Sequence, residues 1–69
     1  MKGHEFIRRV KKYGKRRGIP VRINEERGKG SHVTLYFGNR LTIIKDRKKE
    51  IGTGLYRSML NQLGIEDDI

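Results

Sequence analysis

His32-Val33-Thr34-Leu35-Tyr36-Phe37-Gly38-Asn39-Arg40-Leu41-Thr42-Ile43-Ile44 is the stretch that decides the fold. From His32 to Phe37 apolar and polar residues alternate, with Val33, Leu35 and Phe37 on one side and His32, Thr34 and Tyr36 on the other. That is the period of a half-buried strand. Gly38-Asn39 supplies residues that tolerate positive φ, so the chain turns back there and Leu41 to Ile44 returns as a second strand of a hairpin. The loop length sets which face the returning side chains take. A two-residue loop pairs Phe37 with Arg40 and places Leu41 and Ile43 on the His32 face. A three-residue loop with a bulge returns them to the Val33 face. The bulged register keeps the apolar residues together and is the expected one.

Working outward, Pro20 opens a short extended stretch in which Val21 and Ile23 alternate with Arg22 and Asn24, the first of three strands. Upstream, Phe6, Ile7, Val10 and Tyr13 lie at helical spacing over Glu5 to Tyr13, with Arg8, Arg9, Lys11 and Lys12 on the remaining arc. Gly14 is the expected stop of this basic helix, and Lys15-Arg16-Arg17-Gly18 reads as a loop. Downstream of a charged turn, Lys45 to Glu50, a second helix is expected from Thr53 to Leu63. Its apolar stripe is Leu55, Met59, Leu60 and Leu63, its N-cap Thr53, and its stop Gly64 followed by Ile65. The tail Glu66-Asp67-Asp68 is expected to fray. The order is α-β-β-β-α: an α+β fold in one domain, 1–69, with a three-stranded antiparallel meander and two helices on one of its faces.

Sixty-nine residues, 33% of them hydrophobic and none of them Trp, build only a small core, so chemistry belongs on a surface rather than in a deep pocket. The chain lacks cysteine, which excludes disulfides, thiolate metal sites and thiol catalysis. With His4 and His32 as the only imidazoles, no metal or other cofactor is expected. Apolar runs never exceed three residues, too short for a membrane span, and the chain reads as cytoplasmic.

Seventeen Lys and Arg against eight Asp and Glu give a net charge of +9. The excess is local: residues 1–30 carry eleven basic and three acidic residues, 11 − 3 = +8, and residues 31–69 carry six and five, 6 − 5 = +1. Such a distribution points to a polyanion, and to nucleic acid before lipid, because no wide apolar helix face with aromatic anchors backs the basic segment. RNA is the better substrate than DNA. Its 2′-hydroxyl attacks the adjacent phosphate given a proton carrier and a cation, without metal, and the chain has no carboxylate cluster to hold one.

His32 is the candidate proton carrier. Gly28-Lys29-Gly30-Ser31 directly precedes it, and glycine admits backbone N–H groups close to a phosphate that Lys29 can neutralise, with Ser31 beside it. Arg16 and Arg17 are candidate phosphate contacts. Tyr36, on the same strand face as His32, can stack on a base or carry a second proton. The glycines also suit an ordinary turn, and Gly52-Thr53-Gly54 suits plain helix capping better than phosphate binding.

Gly28-Lys29-Gly30-Ser31-His32, the hairpin, Glu50-Ile51-Gly52-Thr53-Gly54-Leu55 and the closing Leu60-Asn61-Gln62-Leu63-Gly64-Ile65 together resemble the HicA toxin family over nearly the whole length. The resemblance implies a small, basic, metal-independent mRNA interferase with a double-stranded-RNA-binding-domain-like α-β-β-β-α fold, neutralised by a HicB antitoxin. The family's functional histidine, in the second strand after a Gly-Ser or similar pair, maps onto His32. Many members carry a Pro and a second His just after the third strand, where this chain has Lys45-Asp46-Arg47. Lys29, Tyr36 or water then takes the place of the second proton carrier.

The expected function is thus a toxin endoribonuclease cutting mRNA, with His32 as acid or base. A non-catalytic RNA-binding module of the same fold, gripping duplex phosphates with the basic helix and the Lys45 to Lys49 turn, is the alternative, and a ribosome-associated structural protein a third. The antitoxin is expected to be acidic and to bury His32 with part of the basic first half.

Overall fold

The computed structural model describes residues 1–25, 32–67 and 69. Helix α1, Gly3–Arg17, buries Phe6, Ile7 and Val10 and turns its lysines and arginines to solvent. It runs a full turn beyond the expected stop. Gly14 does not cap it but lies inside it, because the returning chain passes so close that a Cβ there would sit 2.5 Å from Val21 Cγ2 and 2.8 Å from the Ile19 carbonyl oxygen. The cap is Gly18, at φ 71°, so Lys15, Arg16 and Arg17 form the last helical turn instead of a loop. Three cations at a helix C-terminus also suit the macrodipole.

Strands β1 (Val21–Asn24), β2 (Val33–Phe37) and β3 (Arg40–Ile44) form an antiparallel sheet in the order β1-β2-β3. The expected bulge is absent. Phe37 pairs directly with Arg40 across Gly38-Asn39, Tyr36 with Leu41, Thr34 with Ile43 and Val33 with Ile44. Gly38 takes φ 63° and Asn39 does not, the pattern of a two-residue turn with glycine at its first central position. Leu41 and Ile43 therefore face solvent with Thr34 and Tyr36, 46% and 55% exposed, while Thr42 and Ile44 turn inward. Burial of Thr42, at 2% exposure, is compatible with its polarity because its Oγ1 donates to Gln62 Oε1 on the second helix.

Helix α2, Thr53–Leu63, has the expected bounds, but Gly52 occupies the N-cap and Thr53 makes no capping bond. Met59, Leu60 and Leu63 are buried, whereas Leu55, expected in the same stripe, lies 55% exposed in the first turn. The stop is as expected: Gly64 at φ 73°, with the Ile65 N–H donating to the Leu60 carbonyl at 2.9 Å and the Ile65 side chain buried. Both helices pack on one face of the sheet around a single cluster that joins Phe6 and Val10 to Leu35, Ile44, Leu60 and Leu63. Phe6 meets Tyr56 edge to face at 6.0 Å.

Two ties hold the ends of the chain. At the start of α1, the Gly3 and His4 N–H groups donate to the Lys49 and Arg47 carbonyls, and the Met1 carbonyl accepts from Ile51. The tail is anchored where fraying was expected: Asp67 accepts from the Tyr13 hydroxyl and from Arg17, each at 3.0 Å, and the Ile69 N–H donates to the Tyr56 hydroxyl. The cations at the end of α1 draw the acidic tail onto the helix. Among the described residues no helix is long and apolar enough to cross a membrane.

Candidate active site

His32 immediately precedes β2 and is exposed. It opens into a cleft of about 470 Å³ at the end of the sheet where β2 begins and β3 ends, walled by Ile43, Lys45, Lys49, Glu50 and Leu55. The strand register explains the arrangement. Val33 pairs with Ile44 at the end of the ladder, so His32 and Lys45, the next residue on each chain, emerge at the same end of the sheet and line one cleft. The turn that follows β3 is held by its own hydrogen bonds: the Lys48 N–H donates to Asp46 Oδ1 at 2.9 Å and the Lys49 N–H to the Asp46 carbonyl at 3.2 Å. This turn folds Lys49 back over the same cleft.

The two carboxylates near His32 are already engaged. Asp46 holds its own turn, and Glu50 pairs with the Met1 ammonium, whose hydrogen bond and charge hold the Glu50 carboxyl below its ordinary value. Among the described residues, Lys45 and Lys49 are the cations that line the cleft beside the imidazole. An exposed imidazole sharing a cleft with two ammonium groups is a set of parts suited to a phosphodiester. Among the described residues no group of three or more His, Cys, Asp or Glu side chains is placed to hold a metal ion.

The other expected site residues divide between two sides of the molecule. Tyr36 shares the open sheet face with His32, four residues on, or ~13 Å along an extended strand. Its ring lies beneath the Arg22 guanidinium, 5.1 Å from the ring centroid. Arg16 and Arg17 are at the far end of α1, below the sheet, and the structure does not bring them to His32. Arg16 lines an open groove of about 710 Å³ with Arg8, Arg9, Lys12 and Tyr13. Arg17 is held by Asp67 and stacks over Tyr13 at 5.0 Å. Lys29 and Ser31 lie outside the described residues.

Lys45 and Lys49 are the site residues that reading the sequence missed as partners of His32. They figured there only as duplex contacts, because the hairpin register decides which residues emerge beside the histidine and the bulged one was expected. Direct pairing of Phe37 with Arg40 would have identified Lys45.

Comparison with known proteins agrees with this architecture. Residues 3–65 match the family described as the HicA toxin of bacterial toxin-antitoxin. A relative named "Probable mRNA interferase HicA", from Pseudomonas fluorescens (strain Pf0-1), is 35% identical over 68 residues, covering 97% of this chain and all of the relative. No solved structure matches the chain. Spanning the two helices, the sheet and the histidine cleft, the family match shows that this chain belongs to the HicA toxin family.

Proposed function

We propose that the chain is a toxin endoribonuclease that cleaves mRNA at His32 and is neutralised by an acidic antitoxin of the HicB type. The observation that carries this reading is the exposed imidazole of His32 in one cleft with Lys45 and Lys49, its carboxylates otherwise engaged. Family membership and the name of the Pseudomonas relative support the same activity.

In the proposed reaction the substrate's 2′-hydroxyl oxygen bonds to the adjacent phosphorus and the bond from phosphorus to the 5′-oxygen breaks. The products are a 2′,3′-cyclic phosphate and a free 5′-hydroxyl, so atoms balance without added water or metal. His32 exchanges a proton with the attacking or the leaving oxygen. Lys45 and Lys49 hold the non-bridging oxygens as charge builds on them. Lys29 and Ser31 contribute to the phosphate grip from the glycine-rich segment before His32, Tyr36 receives a base further along the strand, and Arg16 and Arg17 bind the backbone at a distance.

Cleavage of an RNA oligonucleotide by purified His32→Ala tests the assignment. The variant should fold, since an exposed side chain contributes little to packing, and should lose about 10²–10⁴-fold in rate. An RNA with 2′-deoxy sugars should resist the wild-type protein. Undiminished cleavage by folded His32→Ala would remove histidine from the mechanism, and wild-type protein that binds RNA without cutting it would make the chain a binding module.

A further inference from the structure

Leu41, Ile43 and Leu55 are the large hydrophobic side chains that the described part of the chain leaves exposed, and all three sit along one edge of the sheet. Leu41 and Ile43 come from β3, and Leu55 rises from α2 below it. Between them runs a groove of about 350 Å³ whose other walls include Met59 and Gln62. Ile43, Lys45, Leu55 and Met59 line both this groove and the His32 cleft, so the two form one continuous surface.

The two edges of the sheet differ. β1 is blunted by Pro20 at its mouth, by its length of four residues and by Arg22 on its open face. β3 has five residues, no proline, and apolar side chains facing solvent; among the described residues it pairs with β2 alone. An unblunted apolar edge strand is a template for another strand, and soluble proteins normally protect it.

We propose that this edge docks an acidic partner protein, through an extended apolar segment laid beside β3 with its side chains on Leu41, Ile43 and Leu55 and its carboxylates against Lys45 and Lys49. On the function proposed above, that partner is the antitoxin, and a segment so placed ends over His32. Charge selects this occupant. A second copy would bring another +9 chain, with the same lysines and Arg40 at its rim, against the first. RNA would lay phosphates along residues 41–44, which carry no cation. An acidic apolar segment satisfies both the groove and its rim. The footprint therefore follows β3 from His32 instead of spreading over the basic helix.

Titration of the antitoxin into the full chain and into Leu41→Lys and Ile43→Lys is the test. Lysine removes apolar burial without reversing the attraction to an acidic partner, so weakened binding reports the groove itself. Each variant should weaken the complex at least ~10-fold. Leu41→Lys, outside the His32 cleft, should keep its RNA cleavage rate. Amide exchange on the wild-type complex should show new protection at residues 41–44. Wild-type affinity in a double Leu41→Lys, Ile43→Lys variant, or no added protection at 41–44, would overturn the docking site while leaving the antitoxin reading intact. Sedimentation of the free chain as a dimer that Leu41→Lys dissociates would assign the edge to a second copy. Loss of cleavage by folded Leu41→Lys with antitoxin binding retained would assign it to RNA. Failure of the wild-type chain to bind the antitoxin would overturn the partner reading itself, and the docking site with it.

Discussion

Phe37 pairs directly with Arg40, and this one step of register sorts β3 into an outward set, Leu41 and Ile43, and an inward set, Thr42 and Ile44. The sorting runs against polarity, since it buries a threonine and exposes a leucine and an isoleucine. A pair of substitutions therefore separates the two registers. Leu41→Lys should change stability by no more than about 0.5 kcal/mol, as surface substitutions do. Thr42→Lys should cost several-fold more, because it places a charge in the core and removes the bond to Gln62. Urea unfolding of both proteins decides, and a larger loss for Leu41→Lys would mean that the strand is bulged.

The two glycines near the end of α1 do different work, and alanine distinguishes them. At Gly14 a Cβ would overlap the Val21 side chain and the Ile19 backbone, so Gly14→Ala should cost ~1–3 kcal/mol by overpacking. At Gly18 the space is open and the cost of alanine is the left-handed backbone alone, ~1–2 kcal/mol. Asparagine tolerates that conformation, so Gly18→Asn should recover much of the loss, while Gly14→Asn should be worse than Gly14→Ala. Thermal melts of the four variants test the distinction. Equal recovery by asparagine at both positions would deny the close approach.

The meander and both helices were legible because their signals are local. Val33, Leu35 and Phe37 alternate, Phe6, Ile7 and Val10 lie a helical turn apart, and Gly64-Ile65 is a stop with its own hydrophobic contact. What could not be read depended on partners distant in the chain. Gly14 looks like a stop until Val21 is brought against it. Leu41 looks like core until the hairpin loop is counted, and Thr42 looks like surface until Gln62 answers its hydroxyl. The tail looks free until Asp67 meets Arg17 and Tyr13, fifty and more residues away. In the candidate site, the exposure of His32 was legible from alternation along the strand. Lys45 was not, since its place beside His32 follows from the same register that misplaced Leu41.

Acid should loosen the chain through two carboxylates. Hydrogen bonding to Arg9 and the charges of Arg8 and Arg9 lower the Glu5 pKa below 4.5, and the Met1 ammonium does the same for Glu50. A carboxyl whose native pKa is depressed adds stability that is fully present above its unfolded value and is lost as pH falls through the native one. The melting temperature should therefore hold from neutral pH down to about 4.5 and decline below it. In Glu5→Gln and Glu50→Gln the decline should be shallower. Glu50 is exposed and Glu5 only half-buried beneath exposed arginines, so each effect is small and the double variant is the informative one. An acid decline in that variant as steep as in wild type would place the responsible groups elsewhere.

RNA binding should depend steeply on salt, and the slope can be divided between the two sides of the molecule. Removing a cation that touches one phosphate should reduce the slope of log K against log salt by ~0.7 for a single strand. Arg16 lines the groove on α1 with no ion-pair partner among the described residues, whereas Arg17 is already neutralised by Asp67 at 3.0 Å. Arg16→Gln should then flatten the salt dependence more than Arg17→Gln, and Asp67→Asn should strengthen binding by releasing Arg17. On the proposed function Arg16 holds the RNA backbone away from His32 and so contributes equally to substrate and transition state, and its replacement should raise KM with kcat held. Lys45 and Lys49 share the cleft with His32, so on the proposed reaction Lys45→Gln or Lys49→Gln should lower kcat. Steady-state cleavage at several salt concentrations measures both quantities. A fall in kcat for Arg16→Gln as large as for Lys45→Gln would mean that Arg16 and the histidine cleft act on the same phosphate, which Arg16's place in the last turn of α1 does not allow, since the Lys49 turn packs on the helix's first turn.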